Sequence, residues 1–177
     1  MRRILSIICV FWMAIGGHAQ GRIEARTPPS EVKRTVDALV GQWSFQGNDA
    51  EPGVKEPLKV TIDIDCRLAA LGAAVACTLS GNVASSDRIE AASVVGYDPE
   101  ERIVHWMEIS STGEYHDHRG KWKGETIAFE PLAYKCAGKK CTETFTLRFP
   151  SAGTFVLKSV TETGAGLSTI TGTAKRR

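Results

Sequence analysis

The run Val60-Thr61-Ile62-Asp63-Ile64-Asp65-Cys66 decides the fold. Val60, Ile62, Ile64 and Cys66 share one parity, and Thr61, Asp63 and Asp65 the other. Successive side chains of a strand point to opposite faces, so the run reads as a half-buried β-strand with its carboxylates in solvent. The alternation returns at Val75, Cys77 and Leu79, with Ala76, Thr78 and Ser80 opposite. Cys66 and Cys77 thus lie on the apolar faces of neighbouring strands, where hairpin geometry favours their pairing.

Period two dominates the rest of the chain. Strands are expected near Ile89 to Tyr97, Arg102 to Ser110, Glu114 to Lys123, Glu125 to Leu132, Cys141 to Phe149, Thr154 to Thr161 and Leu167 to Ala174. Asp98-Pro99, Gly113, Gly124, Pro150 and Gly164 to Gly166 separate them, residue types that suit turns. Ahead of the strands, Ser30 is placed to cap a short helix striped by Val32, Val36, Leu39 and Val40 and stopped by Gly41. Trp43 and Phe45 then open the first strand on one face. About ten short strands with brief connections describe an all-β antiparallel meander. Closing it into an up-and-down barrel removes the exposed edges of an open sheet. A two-sheet sandwich is the competing architecture. No composition break or repeat marks a second domain, so residues 30–177 are expected to form one.

The chain of 177 residues begins with a segment of different character. Arg2 and Arg3 precede an apolar run from Ile4 to Ile15, and Gly17-His18-Ala19 offers small residues at a peptidase cleavage site. Residues 1–19 therefore read as a cleavable signal peptide; the run falls short of the about 20 apolar residues that span a bilayer. Residues 20–29 read as a polar, flexible lead-in ending in Pro28-Pro29. Cleavage would remove two arginines and no acid, so the 22 Lys and Arg and 20 Asp and Glu become 20 of each. A neutral mature chain has no broad electrostatic footprint for nucleic acid or anionic membranes, and Lys175-Arg176-Arg177 reads as a solvated tail. Cys9 leaves with the leader. Cys66, Cys77, Cys136 and Cys141 remain, an even set in an oxidising compartment, read as two local disulfides. The expected location is periplasmic or secreted, without membrane insertion.

Three stretches carry a resemblance. Leu39-Val40-Gly41-Gln42-Trp43 takes a helix into a Gly-x-Trp that opens the first strand; Leu71-Gly72 leads into the strand Ala73 to Leu79; and Val95-Gly96-Tyr97-Asp98-Pro99 precedes Trp106-Met107-Glu108, Gly113 and Gly120. Together they resemble a family of uncharacterised, often exported bacterial lipocalin-like domains, in which a Gly-Tyr-Asp turn precedes a strand carrying Trp-x-Asp. The resemblance implies a calycin-type barrel rather than an activity. Glu108 stands where that pattern has aspartate. The barrel is more distantly similar to nitrobindin-like haem carriers, which rely on a histidine near the barrel's end. No histidine follows His118 here, so no cofactor is expected.

Chemistry concentrates in the hairpin from Ile103 to Trp122. Val104, Trp106, Glu108 and Ser110 share a face, as do Glu114, His116 and His118. A three-residue turn at Ser111-Thr112-Gly113 sets Glu108 opposite His116 and Trp106 opposite His118. A carboxylate, two imidazoles and an indole then converge as a polar spot inside the barrel, a His-x-His metal site or an acid/base pair. The alternative puts both histidines on the outer wall, with Ile103, Met107 and Ile109 facing the core, and it is favoured because exposed polar strand faces are the commoner kind. Two ligands without a third are a weak metal signal, so no metal is assigned.

The leading reading is an exported protein that binds a small, largely apolar molecule inside the barrel. Trp43, Phe45, Trp106, Phe129, Phe145 and Phe155 would face inward, with Trp43, Trp106, Glu108, His116 and His118 contacting the ligand. The competing reading is a structural or protein-interaction module with a filled interior. An enzyme built on Glu108, His116 and His118 ranks last, because no nucleophile or activating motif accompanies them.

Overall fold

The computed structural model describes residues 29–82, 88–136 and 138–177. The expected signal peptide, residues 1–19, and the lead-in short of Pro29 lie outside the described residues. Helix α1 (Ser30–Leu39) is followed by β1 (Gly41–Ala50), β2 (Leu58–Ala69), β3 (Ala74–Asn82), β4 (Arg88–Asp98), β5 (Ile103–Ser110) and β6 (Tyr115–Lys123). Then come β7 (Thr126–Phe129), β8 (Leu132–Cys136), β9 (Lys139–Ser151), β10 (Thr154–Thr163) and β11 (Gly166–Arg176). Pairing is antiparallel throughout. β11 returns to β1, and β9 pairs with β10, so the sheet closes on itself. β7 and β8 both pair with β9, end to end, and occupy one place in a ten-strand barrel. Closure leaves the apolar faces only one place to point, the inside.

The expected strand Glu125 to Leu132 is in fact two. Pro131 has no N–H to give and a fixed φ, so the ladder stops there. Glu130 N–H reaches Arg119 O at 2.8 Å, and beyond that contact β6 and β8 share no ladder. The wall between Tyr115–His118 and β8 is therefore parted. Single-residue alternation could not foretell this, because Leu132 to Cys136 finds its partner only in β9.

Helix α1 plugs one end. Val32, Thr35, Val36 and Leu39 are buried, and the Trp122 indole N–H donates to Thr35 Oγ1 at 3.0 Å. Trp43 Nε1 donates to Leu39 O at 2.8 Å, and Arg34 lies over the Trp122 ring. Ser30 is the first helical residue rather than the cap; Pro29 takes the cap position and the Ser30 hydroxyl turns to Glu31. The C-terminal basic residues are not a loose tail. Lys175 and Arg176 belong to β11, Arg176 covers the Trp43 ring, and Arg177 pairs with Asp63.

Cys66 sits directly opposite Cys77 across β2 and β3, and the two are bonded. Cys136 and Cys141 are bonded across the β8–β9 turn. All six aromatic residues expected inside are buried. From the helix end the interior runs through Trp43 and Phe155, then Val104, Ile127 and Leu147, to Trp106, Phe129 and Phe145. Phe129 and Phe145 stack at 3.9 Å, with Trp106 edge-on to both.

Candidate functional site

Beyond those rings, away from the helix, the inward face turns polar. The β5–β6 register sets Glu108 opposite His116 and Trp106 opposite His118, with Gly113 at φ +82° in the connecting turn. Burial settles which side faces in. His118 is 4 % exposed and Trp106 8 %, whereas Met107 and Ile109 are 40 % and 54 % exposed. The outward reading of the two histidines is overturned. Val104 and Trp106 share their parity with Glu108, and burying these larger side chains carries the glutamate and histidines inside with them.

The structure adds three residues to the cluster. Glu143 on β9 brings Oε2 to 3.8 Å from His116 Nδ1 and 3.8 Å from His118 Nε2. Ser159 on β10 donates its hydroxyl to Glu143 Oε1 at 2.6 Å. Tyr134 on β8 packs its ring 4.2 Å from that of His116, across the parted wall. A pocket of about 540 Å³ opens at this place, lined by Thr112, Glu114, His116, Tyr134, Lys135 and Gly138 among others. Glu143 left a trace in the sequence: it shares the inward parity of Cys141, Phe145 and Leu147, a lone charge on an apolar face. Tyr134 left none, since its strand was not foreseen.

Trp43 does not join the cluster; it packs against Phe155 at the helix end, 5.0 Å between ring centres. Trp106 does, donating its indole N–H to Glu108 Oε2 at 3.1 Å.

Polar groups this deep should find partners, and several do not. His116 Nε2, His118 Nδ1 and Ser93 Oγ are buried without a hydrogen bond among the described residues. Burial pushes the His118 imidazole down to about 4, with the neighbouring His116 adding to the effect, so His118 is neutral at pH 7. Burial also raises the Glu108 carboxyl, against the opposing pull of the Trp106 indole and His116. The Tyr134 phenol is pushed up to about 12, first by burial and then by the Glu143 charge. Two imidazoles, a carboxylate held by a serine and a buried indole donor can fix the polar end of a small molecule or ligate a cation. Outside the barrel, His105 pairs with Asp117 at 3.4 Å, apart from all of this.

The described residues thus form a ten-strand, helix-plugged antiparallel barrel of lipocalin-like architecture, with a polar layer inside it. No family model matches the chain, and no curated protein sequence matches it significantly. Solved structures do share the fold. The S-type phycobiliprotein lyase of Guillardia theta superposes with a TM-score of 0.58 at 15 % identity, covering 85 % of this chain and 98 % of that one. Rv2717c of M. tuberculosis superposes with a TM-score of 0.61 at 12 % identity, covering 85 % and 99 %. At such identities the likeness establishes architecture and carries no chemistry.

Proposed function

We propose that this protein is an exported carrier of one small, largely apolar molecule, held where the wall parts between β6 and β8. The observation that carries the reading is the buried polar layer in which His116 Nε2, His118 Nδ1 and Ser93 Oγ have no hydrogen bond among the described residues, with His116 lining an open pocket. Ligand sites combine apolar walls with a few convergent polar groups, and a bound molecule supplies the partners those atoms lack. Glu108, His116 and His118 orient the ligand's polar end, and Trp106 holds Glu108 in place. Trp43 belongs to the core beneath. The two disulfides support an oxidising compartment, which fits removal of residues 1–19 and release into the periplasm or beyond.

A second reading rests on the outer wall. Val94, Met107, Ile109 and Tyr115 form an exposed apolar groove there, which favours a protein-interaction module with a filled barrel. Native mass spectrometry of protein purified gently from an exporting host separates the two. Excess mass of an organic molecule, larger than any single metal ion, that vanishes on denaturation and is missing from His116→Ala supports the carrier. A mass equal to the bare polypeptide less the four hydrogens of two disulfides rejects it.

A further inference from the structure

His116, His118 and Glu143 meet at one point without bonding to one another. Their nearest ligand atoms all lie within 4.8 Å, and the carboxylate stands 3.8 Å from each imidazole. That is beyond the 2.7–3.2 Å of a normal N–H···O bond. It is close to the spacing of about 3.4 Å between two atoms each roughly 2.0–2.1 Å from a tetrahedral ion. A merely structural polar layer would have closed these gaps with hydrogen bonds, because unpaired buried groups are costly. Here each imidazole instead has one nitrogen near Glu143 at non-bonding distance and the other buried with no partner among the described residues.

The geometry points to a divalent transition-metal site made by His116, His118 and Glu143, of the Zn²⁺ class, with a coordination position left for water or a bound molecule. The donor set decides the class. Two imidazole nitrogens and one carboxylate oxygen suit Zn²⁺ and its first-row neighbours, whereas Ca²⁺ and Mg²⁺ take oxygen ligands. The scaffold suits it too. The two histidines stand two residues apart on one face of β6, and Glu143 comes from β9, so the ligands rest on hydrogen-bonded strands rather than loops. Ser159 steadies the carboxylate from behind. Its hydroxyl donates to Glu143 Oε1 at 2.6 Å and leaves Oε2 aimed at the imidazoles. Glu108 is not a ligand, since its own Oε2 accepts the Trp106 indole N–H. The site does not depend on the organic carrier reading, which can fail while the metal binds, and the reverse.

The test uses untagged mature protein with disulfides intact, stripped with a chelator and titrated calorimetrically with Zn²⁺ alone. One ion per chain is expected. Glu143→Gln keeps the shape and the Ser159 bond, and it weakens binding by well over tenfold, as does His116→Ala. Ser159→Ala weakens it by about 10- to 100-fold, as the loss of a group that orients a metal ligand does. His105→Ala, on the outer wall, leaves it unchanged. Circular dichroism confirms that each variant is folded. Should a variant unfold, Co²⁺ added to the wild type gives the intense visible bands of a four-coordinate site. The inference is overturned if the wild type binds neither ion, if Glu143→Gln binds like the wild type, or if His105→Ala is the change that abolishes binding.

Discussion

His118→Leu should make the metal-free protein more stable while abolishing what its polar layer binds. The imidazole is 4 % exposed among Phe145, Phe129 and His116, with ring centres 4.7, 6.2 and 5.3 Å away. Its Nδ1 has no partner among the described residues, and the Glu143 carboxylate beside its Nε2 is too far for a hydrogen bond. Leaving such an atom buried costs about 1–3 kcal/mol. Leucine is of similar volume, and a volume-conserving swap in a packed core costs less than about 1.5 kcal/mol. The difference is a net gain of about 1 kcal/mol. For a domain of this size that raises Tm by about 2–4 °C. Thermal unfolding followed by circular dichroism at pH 7, with chelator present, reads it directly against the control His105→Ala on the outer wall. A fall in Tm of several degrees would refute the reasoning. It would mean that His118 is a satisfied structural group and that the layer need not be explained by binding.

The pH dependence follows from the same residue. In the unfolded chain His118 takes a proton near its ordinary 6.5, but in the folded protein only near 4. The folded state disfavours the charge, so stability should be constant above pH 6.5 through this group and fall as pH drops from about 6.5 towards 4. Glu108, raised by burial, acts with the opposite sign, so the contrast between wild type and His118→Leu isolates the histidine; urea midpoints that run parallel from about pH 7 to about pH 4.5 would count against it. The disulfides should differ in worth. With sequence separations of 11 and 5, loop closure gives about 3 kcal/mol for Cys66–Cys77 and about 2 kcal/mol for Cys136–Cys141. Urea unfolding of the two double-alanine variants measures both, and an unchanged midpoint for Cys66→Ala/Cys77→Ala would contradict the loop-closure argument.

Much of the wall was legible because strand alternation is local. Val60 to Cys66 declared its two faces, and the register Cys66 to Cys77 followed from a short hairpin. The β5–β6 pairing of Glu108 with His116 followed likewise from a three-residue turn. The face those residues take was not legible, since Ile103, Met107 and Ile109 offered an equally apolar alternative. It was decided by Val104, Trp106, Phe129 and Phe145, whose side chains fill the barrel together and leave Met107 and Ile109 outside.

The sequence by itself determined the strand periodicity, the antiparallel meander, the inward aromatics and the cysteine pairs, all consequences of side chains a few residues apart. Only the tertiary structure decided that the wall parts at Pro131, that Tyr134 faces His116 across the gap, and that Glu143 and Ser159 complete the cluster. Those residues lie on β8, β9 and β10, and it is barrel closure, a long-range pairing of β9 with β10 and of β11 with β1, that carries them to β6. Periodicity assigns each strand its faces, but which strands stand opposite one another across the interior depends on the whole ring.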